Sequence, residues 1–123
     1  MPIIRLSSAD FTTLENPGKR SEQIVWPENA PEARVTITRV TMAPGATSAR
    51  HSHPAREQTW LVERGRGTLL LKDGGSDEVR AGDVIVTPPG EVHGVSNTSE
   101  EQFVYLSITT PSEDFTRAYK RRL

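Results

Sequence analysis

Apolar and polar residues alternate in short runs along this chain, and glycine or proline closes nearly every run. Alternation over a handful of positions, rich in β-branched and aromatic side chains, marks a half-buried strand. Arg34-Val35-Thr36-Ile37-Thr38-Arg39-Val40-Thr41-Met42 is the longest such run, and it stops at Pro44-Gly45. Thr59-Trp60-Leu61-Val62 stops near Gly65-Arg66-Gly67. Thr68-Leu69-Leu70-Leu71 leads to Asp73-Gly74, a hairpin signal. Val84-Ile85-Val86-Thr87 leads to Pro88-Pro89-Gly90, where Pro89 and Gly90 suit the central positions of a type II turn. Phe103-Val104-Tyr105-Leu106-Ser107-Ile108 is the last strong run.

The two ends read differently. Residues 7–33 are mixed, with Gln23-Ile24-Val25-Trp26 a short strand closed by Pro27. Near the other end, Thr110 stands as an N-cap, Pro111 at the first helical position and Glu113 at the third, which predicts a short C-terminal helix through about Lys120. Arg117, Lys120, Arg121 and Arg122 then face the negative end of that helix. There is no internal repeat, no low-complexity segment and no helix-crossover pattern. Many short strands with regular turns predict an all-β sandwich, jelly roll or barrel, its core over about residues 34–110.

At 123 residues the chain has the length of one domain, 1–123. Apolar residues make up 34%, a modest share that fits a small barrel with a polar interior site or a core completed by dimerisation. The net charge of −1 carries no basic footprint for nucleic acid. The absence of cysteine excludes disulfides, zinc knuckles and thiol catalysis. No stretch has the length of a membrane span, and Met1 to Ser7 holds no apolar signal core, so the expected location is the cytoplasm.

The chemistry gathers at the three histidines, His51, His53 and His93. His51 and His53 are two apart, which on an extended segment puts both imidazoles on one face. Such a pair suits one metal ion, each nitrogen at roughly 2.0–2.1 Å. An isolated His-x-His is a weak signal, but its surroundings strengthen it. Gly45, five residues, His51-x-His53, four residues, Gln58, six residues and Gly65 form one frame. Gly82, five residues, Pro88-x-Gly90, two residues, His93, three residues and Asn97 form another.

Together the frames resemble the two signature motifs of the cupin superfamily, over residues 45–97. The resemblance implies a double-stranded β-helix, a jelly-roll barrel of antiparallel strands with one metal inside its mouth. It makes His51, His53 and His93 the imidazole ligands, Gly45, Gly65, Gly82, Pro88 and Gly90 turn formers, and Asn97 a structural position. It also implies a homodimer.

The usual fourth ligand of that pattern is a glutamate with three or four residues between it and the second histidine, and here Glu57 and Gln58 occupy both spacings. Counting back from Gly65 points to Gln58. Strand alternation groups Gln58 with Trp60 and Val62, and Glu57 with Thr59, Leu61 and Glu63. The first group suits an interior, which favours Gln58 and leaves Glu57 as the alternative, since a one-residue bulge reverses the choice. Three imidazoles and an amide leave the full +2 charge on the ion, a Lewis acid with affinity for anionic or chelating oxygen. Mn, Fe, Co, Ni, Cu and Zn all accept such a set.

Trp60, Phe103 and Tyr105 are expected in the core, with Trp60 also lining a substrate pocket if it shares a face with Gln58. Arg39, in mid-strand, is either solvent-facing or an inward anchor for a carboxylate. No nucleophilic serine with a dedicated base and no phosphate loop is evident. The chain therefore reads as a metal-dependent enzyme acting on a small oxygen-chelating molecule, with a dioxygenase the leading expectation. A Lewis-acid isomerase, lyase or cyclase, and a non-catalytic ligand-binding sensor, remain open beside it.

Overall fold

Alternate residues of each predicted run turn inward together. In the computed structural model, which describes residues 2–123, the chain forms eleven strands: β1 (Thr12–Asn16), β2 (Lys19–Val25), β3 (Thr36–Met42), β4 (Thr47–His51), β5 (Glu57–Arg64), β6 (Arg66–Leu71), β7 (Ser76–Arg80), β8 (Val84–Thr87), β9 (His93–Ser96), β10 (Phe103–Thr110) and β11 (Arg121–Arg122). Strand β3 buries Thr36, Thr38, Val40 and Met42. Strand β5 buries Gln58, Trp60 and Val62, and β10 buries Phe103, Tyr105, Ser107 and Thr109. Arg39 lies on the outer face of β3, where it reaches Glu63 at 2.9 Å and Glu22 at 3.7 Å. It is a surface charge and not an inward anchor.

The strands form two sheets with only antiparallel ladders. One has the order β11-β1-β2-β3-β10-β5-β8, the other β4-β9-β6-β7. The all-β architecture expected from the sequence is present, as two packed sheets that do not close into a continuous hydrogen-bonded barrel. Val40, Met42, Trp60, Val62, Phe103 and Tyr105 of the larger sheet meet Leu69, Val79 and Val95 of the smaller one. Each such side chain contributes about 1.5–3 kcal/mol when fully buried. Among the described residues, no helix is long and apolar enough to cross a membrane.

The turn signals hold. Asp73-Gly74 lies between β6 and β7, which pair as a hairpin. At Pro88-Pro89-Gly90, the Glu91 N–H donates to the Pro88 carbonyl at 3.2 Å, and Gly90 adopts φ +82°, the conformation a type II turn requires at that position. Asn97 is fully buried and ties three segments together. Its Nδ2 donates to the carbonyls of Met42 and Glu101, and its Oδ1 accepts from the Ser99 backbone N–H and hydroxyl.

Two expectations need correction. The mixed segment 7–33 contains a full hairpin, β1–β2, which extends the larger sheet through β3. Gln23, Ile24 and Val25 belong to the longer β2, and Trp26 lies just beyond it, almost completely buried. The predicted C-terminal helix does not form. Residues 111–120 hold a single 3₁₀ turn, Thr116–Ala118, and the chain then enters β11. Tertiary bonds replace helical ones here. The Glu113 N–H donates to Thr36 Oγ1, and that hydroxyl donates to the Glu113 carbonyl, each at 2.8 Å. Arg121 and Arg122 cover the edge of β1. Arg122 pairs with Glu28 and Arg121 with Glu15, so these cations serve strand ends and not a helix terminus.

Candidate metal centre

The site begins with a backbone pairing. Strands β4 and β9 are neighbours, and their register sets His51 opposite His93. The close approach depends on Gly94, because a Cβ there would stand 2.6 Å from the Ser48 carbonyl oxygen on β4. His53 lies two residues past the end of β4, in the loop that leads to β5. The expected single extended segment therefore ends between the two histidines. Their rings still meet, with centroids 4.9 Å apart. His93 lies 4.5 Å from His51 and 5.4 Å from His53. A coordinating nitrogen of each ring falls within 4.8 Å of the others, so the three histidines could hold a metal ion.

The outer nitrogen of each ring already faces an acceptor. His51 Nδ1 donates to the Ala49 carbonyl at 2.7 Å. His93 Nδ1 donates to the Glu91 carbonyl at 3.2 Å. His53 Nδ1 faces Glu113 Oε2 at 3.7 Å. A proton held on Nδ1 leaves the Nε2 lone pair of each ring free toward the centre, as in metal-ligating histidines.

Gln58 completes the arrangement from β5. Its Nε2 donates to Thr109 Oγ1 at 3.1 Å, which turns Oε1 toward His93 Nε2, also at 3.1 Å. With the His93 proton on Nδ1, that contact sets two acceptors against each other, an arrangement that a cation resolves. The residues present thus fit a divalent ion. Glu57, the alternative, is exposed at the start of β5, on the opposite face. Trp60 shares the face of Gln58, and its ring lies 5.5 Å from that of His93 and 4.5 Å from that of Tyr105.

Burial dominates the electrostatics. It pulls His93 down from 6.5 to about 4, and the neighbouring His51 and His53 add to the effect. His53 is lowered as well, first by burial and then by His51 and Arg56. Neutral imidazole is the ligating form, so both shifts favour it at His93 and His53.

A cavity of about 360 Å³ opens beside these groups, its wall including His51, His53, Gln58, Trp60, Tyr105 and Lys19. Among the described residues, no aspartate or glutamate lines it. Several participants carry no signal in the sequence. Glu113 and Phe115 come from the segment expected to be helical, and Phe115 packs edge-on against His53 with centroids 6.3 Å apart. Lys19 comes from the hairpin hidden in the mixed front segment.

Comparisons with known proteins agree with this geometry. Residues 38–109 match the family Cupin_2, described as a cupin domain. The chain is 42% identical over 76 residues to (R)-mandelonitrile lyase of Granulicella tundricola, covering 62% of this chain and 57% of that protein. It is 30% identical over 119 residues to oxalate oxidase 1 of Hordeum vulgare, covering 89% of this chain and 58% of that one. The matches thus span under three fifths of these relatives' lengths. Among solved structures, a cupin 2 conserved barrel domain protein from Salinispora arenicola is similar at 30% identity and TM-score 0.67, over 89% of this chain and 88% of that one. A family match across more than half the chain, two packed antiparallel sheets and a convergent histidine triad lead to one conclusion: the chain belongs to the cupin family.

Proposed function

We propose that this protein is a mononuclear metal-dependent enzyme that acts on a small molecule binding through its oxygens. One observation carries the reading: three imidazoles, each with its outer nitrogen facing an acceptor, converge with one amide oxygen, and His51, His53 and Gln58 of this set line a cavity of about 360 Å³. His51, His53, His93 and Gln58 would hold the ion, with Mn, Fe, Co, Ni, Cu and Zn as candidates. A divalent ion there supplies Lewis acidity toward a developing oxyanion. The neutral donor set leaves the ion's charge undiminished, which favours Lewis-acid chemistry of the lyase, isomerase or cyclase kind. The similarity to a mandelonitrile lyase supports the same reading.

The chain's own residues do the rest. Thr109 fixes the rotamer of Gln58 through its hydroxyl. Glu113, held by Arg56 at 3.5 Å and by its backbone bonds to Thr36, faces the outer nitrogen of His53. Trp60 and Tyr105 form an aromatic wall on one side of the cavity.

An oxygen-dependent oxidoreductase is the second reading, with a dioxygenase as its finer form, and the similarity to an oxalate oxidase across most of the chain supports the coarser class. A homodimer, as the resemblance to the cupin motifs implies, completes the proposal. Elemental analysis of the purified protein, paired with an oxygen electrode and a substrate panel, tests it. Near-stoichiometric metal with substrate turnover and no O₂ uptake supports the Lewis-acid reading. Metal-dependent O₂ uptake shifts it to the oxidoreductase reading, and incorporation of both atoms of labelled O₂ into product would make it a dioxygenase. No metal after reconstitution refutes both. Light scattering of the eluted peak checks the dimer.

A further inference from the structure

Lys19 begins β2 and faces the cavity that holds the histidines. Its Nζ donates to Ser48 Oγ at 2.7 Å, three residues before His51 on β4, and lies 5.4 Å from the centroid of the Tyr119 ring. No carboxylate among the described residues is within ion-pair distance of it, and none lines the cavity. A sunken cation without a counter-anion is an expensive arrangement unless something else supplies the charge. An ammonium has three N–H donors, and Ser48 takes one, so two remain for a ligand.

The other groups facing this space carry no negative charge. Ser48 and Asn16 are neutral, and His51 and His53 on the cavity wall bring no negative charge. Tyr105 and Tyr119 are both pushed up by burial and stay protonated. Burial pulls Lys19 down from 10.5 to about 8, so it is still mostly cationic at pH 7. The cavity thus combines an ammonium, a neutral-donor metal site and aromatic walls from Trp60, Tyr105, Phe115 and Tyr119.

We infer that Lys19 is the anion-recognition residue of this site, and that the ligand is a small organic carboxylate with an apolar or aromatic body. The inference rests on the metal-centre reading only for where the ligand's other end lies. The lysine holds the carboxylate through charge-assisted hydrogen bonds, and the aromatic rings hold the body.

Benzoate and its neutral isostere benzamide are the probes, titrated calorimetrically into zinc-reconstituted protein and into chelator-treated protein. Wild type should bind benzoate at least tenfold more tightly than benzamide. Lys19→Met should weaken benzoate roughly 10- to 100-fold and leave both benzamide affinity and zinc content unchanged, while Lys19→Arg should retain most of the benzoate affinity. In chelator-treated wild type, where no metal-bound water can titrate, benzoate affinity should fall as pH rises through about 8, with benzamide flat. This last measurement needs no variant, so it decides the matter even if Lys19→Met misfolds.

Equal benzoate affinity in wild type and Lys19→Met overturns the inference. So does the absence of saturable benzoate binding in the millimolar range. Lysine-dependent benzoate binding in a protein that takes up no zinc would uphold Lys19 and refute the metal centre. Stoichiometric zinc without lysine dependence would do the reverse.

Discussion

The same three strands build two different interiors. Toward one end, the inward residues of β3, β5 and β10 are Val40 and Met42, Trp60 and Val62, and Phe103 and Tyr105. Toward the other they are Thr36 and Thr38, Gln58, and Ser107 and Thr109. Both halves are equally buried. The apolar half gains its stability from area removed from water. The polar half needs partners for its donors and acceptors, and two pairings supply part of them: Gln58 with Thr109, and Thr36 with the Glu113 backbone. Gln58 Oε1 and His93 Nε2 are left facing each other, and that leftover is where the candidate chemistry sits. The difference teaches that stability and function are separable along a single strand, because moving two residues along it changes the job.

The separation can be broken from either side. The largest effect is expected from His51→Ala, which removes one of three imidazoles and should abolish metal binding while the metal-free fold persists. Stoichiometric metal in that variant, measured by elemental analysis, would refute the ligand set. Phe103→Ala should do the opposite. Phe103 is fully buried beneath Gly67, where an added Cβ would stand 3.0 Å from the ring. Its truncation should cost about 3–5 kcal/mol in denaturant unfolding and leave metal stoichiometry intact below the transition. Coupled loss of both properties in either variant would show that the two halves are not independent.

How much of this was legible in the sequence divides along similar lines. The apolar half was readable because β-branched and aromatic residues alternate there, and β3, β5, β6, β8 and β10 all coincide with predicted runs. The histidines and their turns were readable because glycine and proline carry fixed backbone requirements. Alternation also placed Gln58 on the face of Trp60. Strand β2 was largely invisible. Lys19-Arg20-Ser21-Glu22-Gln23 has no apolar member, and its inward residues Ser21 and Gln23 are polar and buried. The C-terminal segment was misread because its capping pattern is local, whereas its actual partners, Thr36 and β1, are distant in sequence. Lys19 and Glu113 lie in these two stretches, so the residues that surround the candidate ligands were the ones hidden.

A third, smaller effect should appear with pH. His93 is held near 4 in the fold, against 6.5 for a free imidazole. Between about 4 and 6.5 the unfolded chain binds more protons than the folded one, so stability rises with pH across that window and levels off above it. His53, also lowered, acts in the same direction. In chelator-treated protein the unfolding midpoint should therefore fall as pH drops from about 6.5 to 4. His93→Gln should flatten the curve. An unchanged slope in that variant would place the acid sensitivity outside the site.

The smallest expected effect belongs to the charge behind His53. Glu113 contributes nothing to the cavity lining, and its Oε2 is buried without a hydrogen-bond donor, 3.7 Å from His53 Nδ1. A carboxylate in that position orients a ligating imidazole and raises its basicity, and losing such a partner typically costs 10- to 100-fold in metal affinity or activity. Glu113→Gln keeps the size and the backbone bonds to Thr36 and removes only the charge. Chelator competition should show metal affinity reduced about tenfold, at the low end of that range because 3.7 Å is longer than a formed hydrogen bond. Unfolding of the metal-free variant should change by less than about 1 kcal/mol, as expected for a partly exposed pair. Unaltered metal affinity would reduce Glu113 to a tether that holds the C-terminal segment over the polar half.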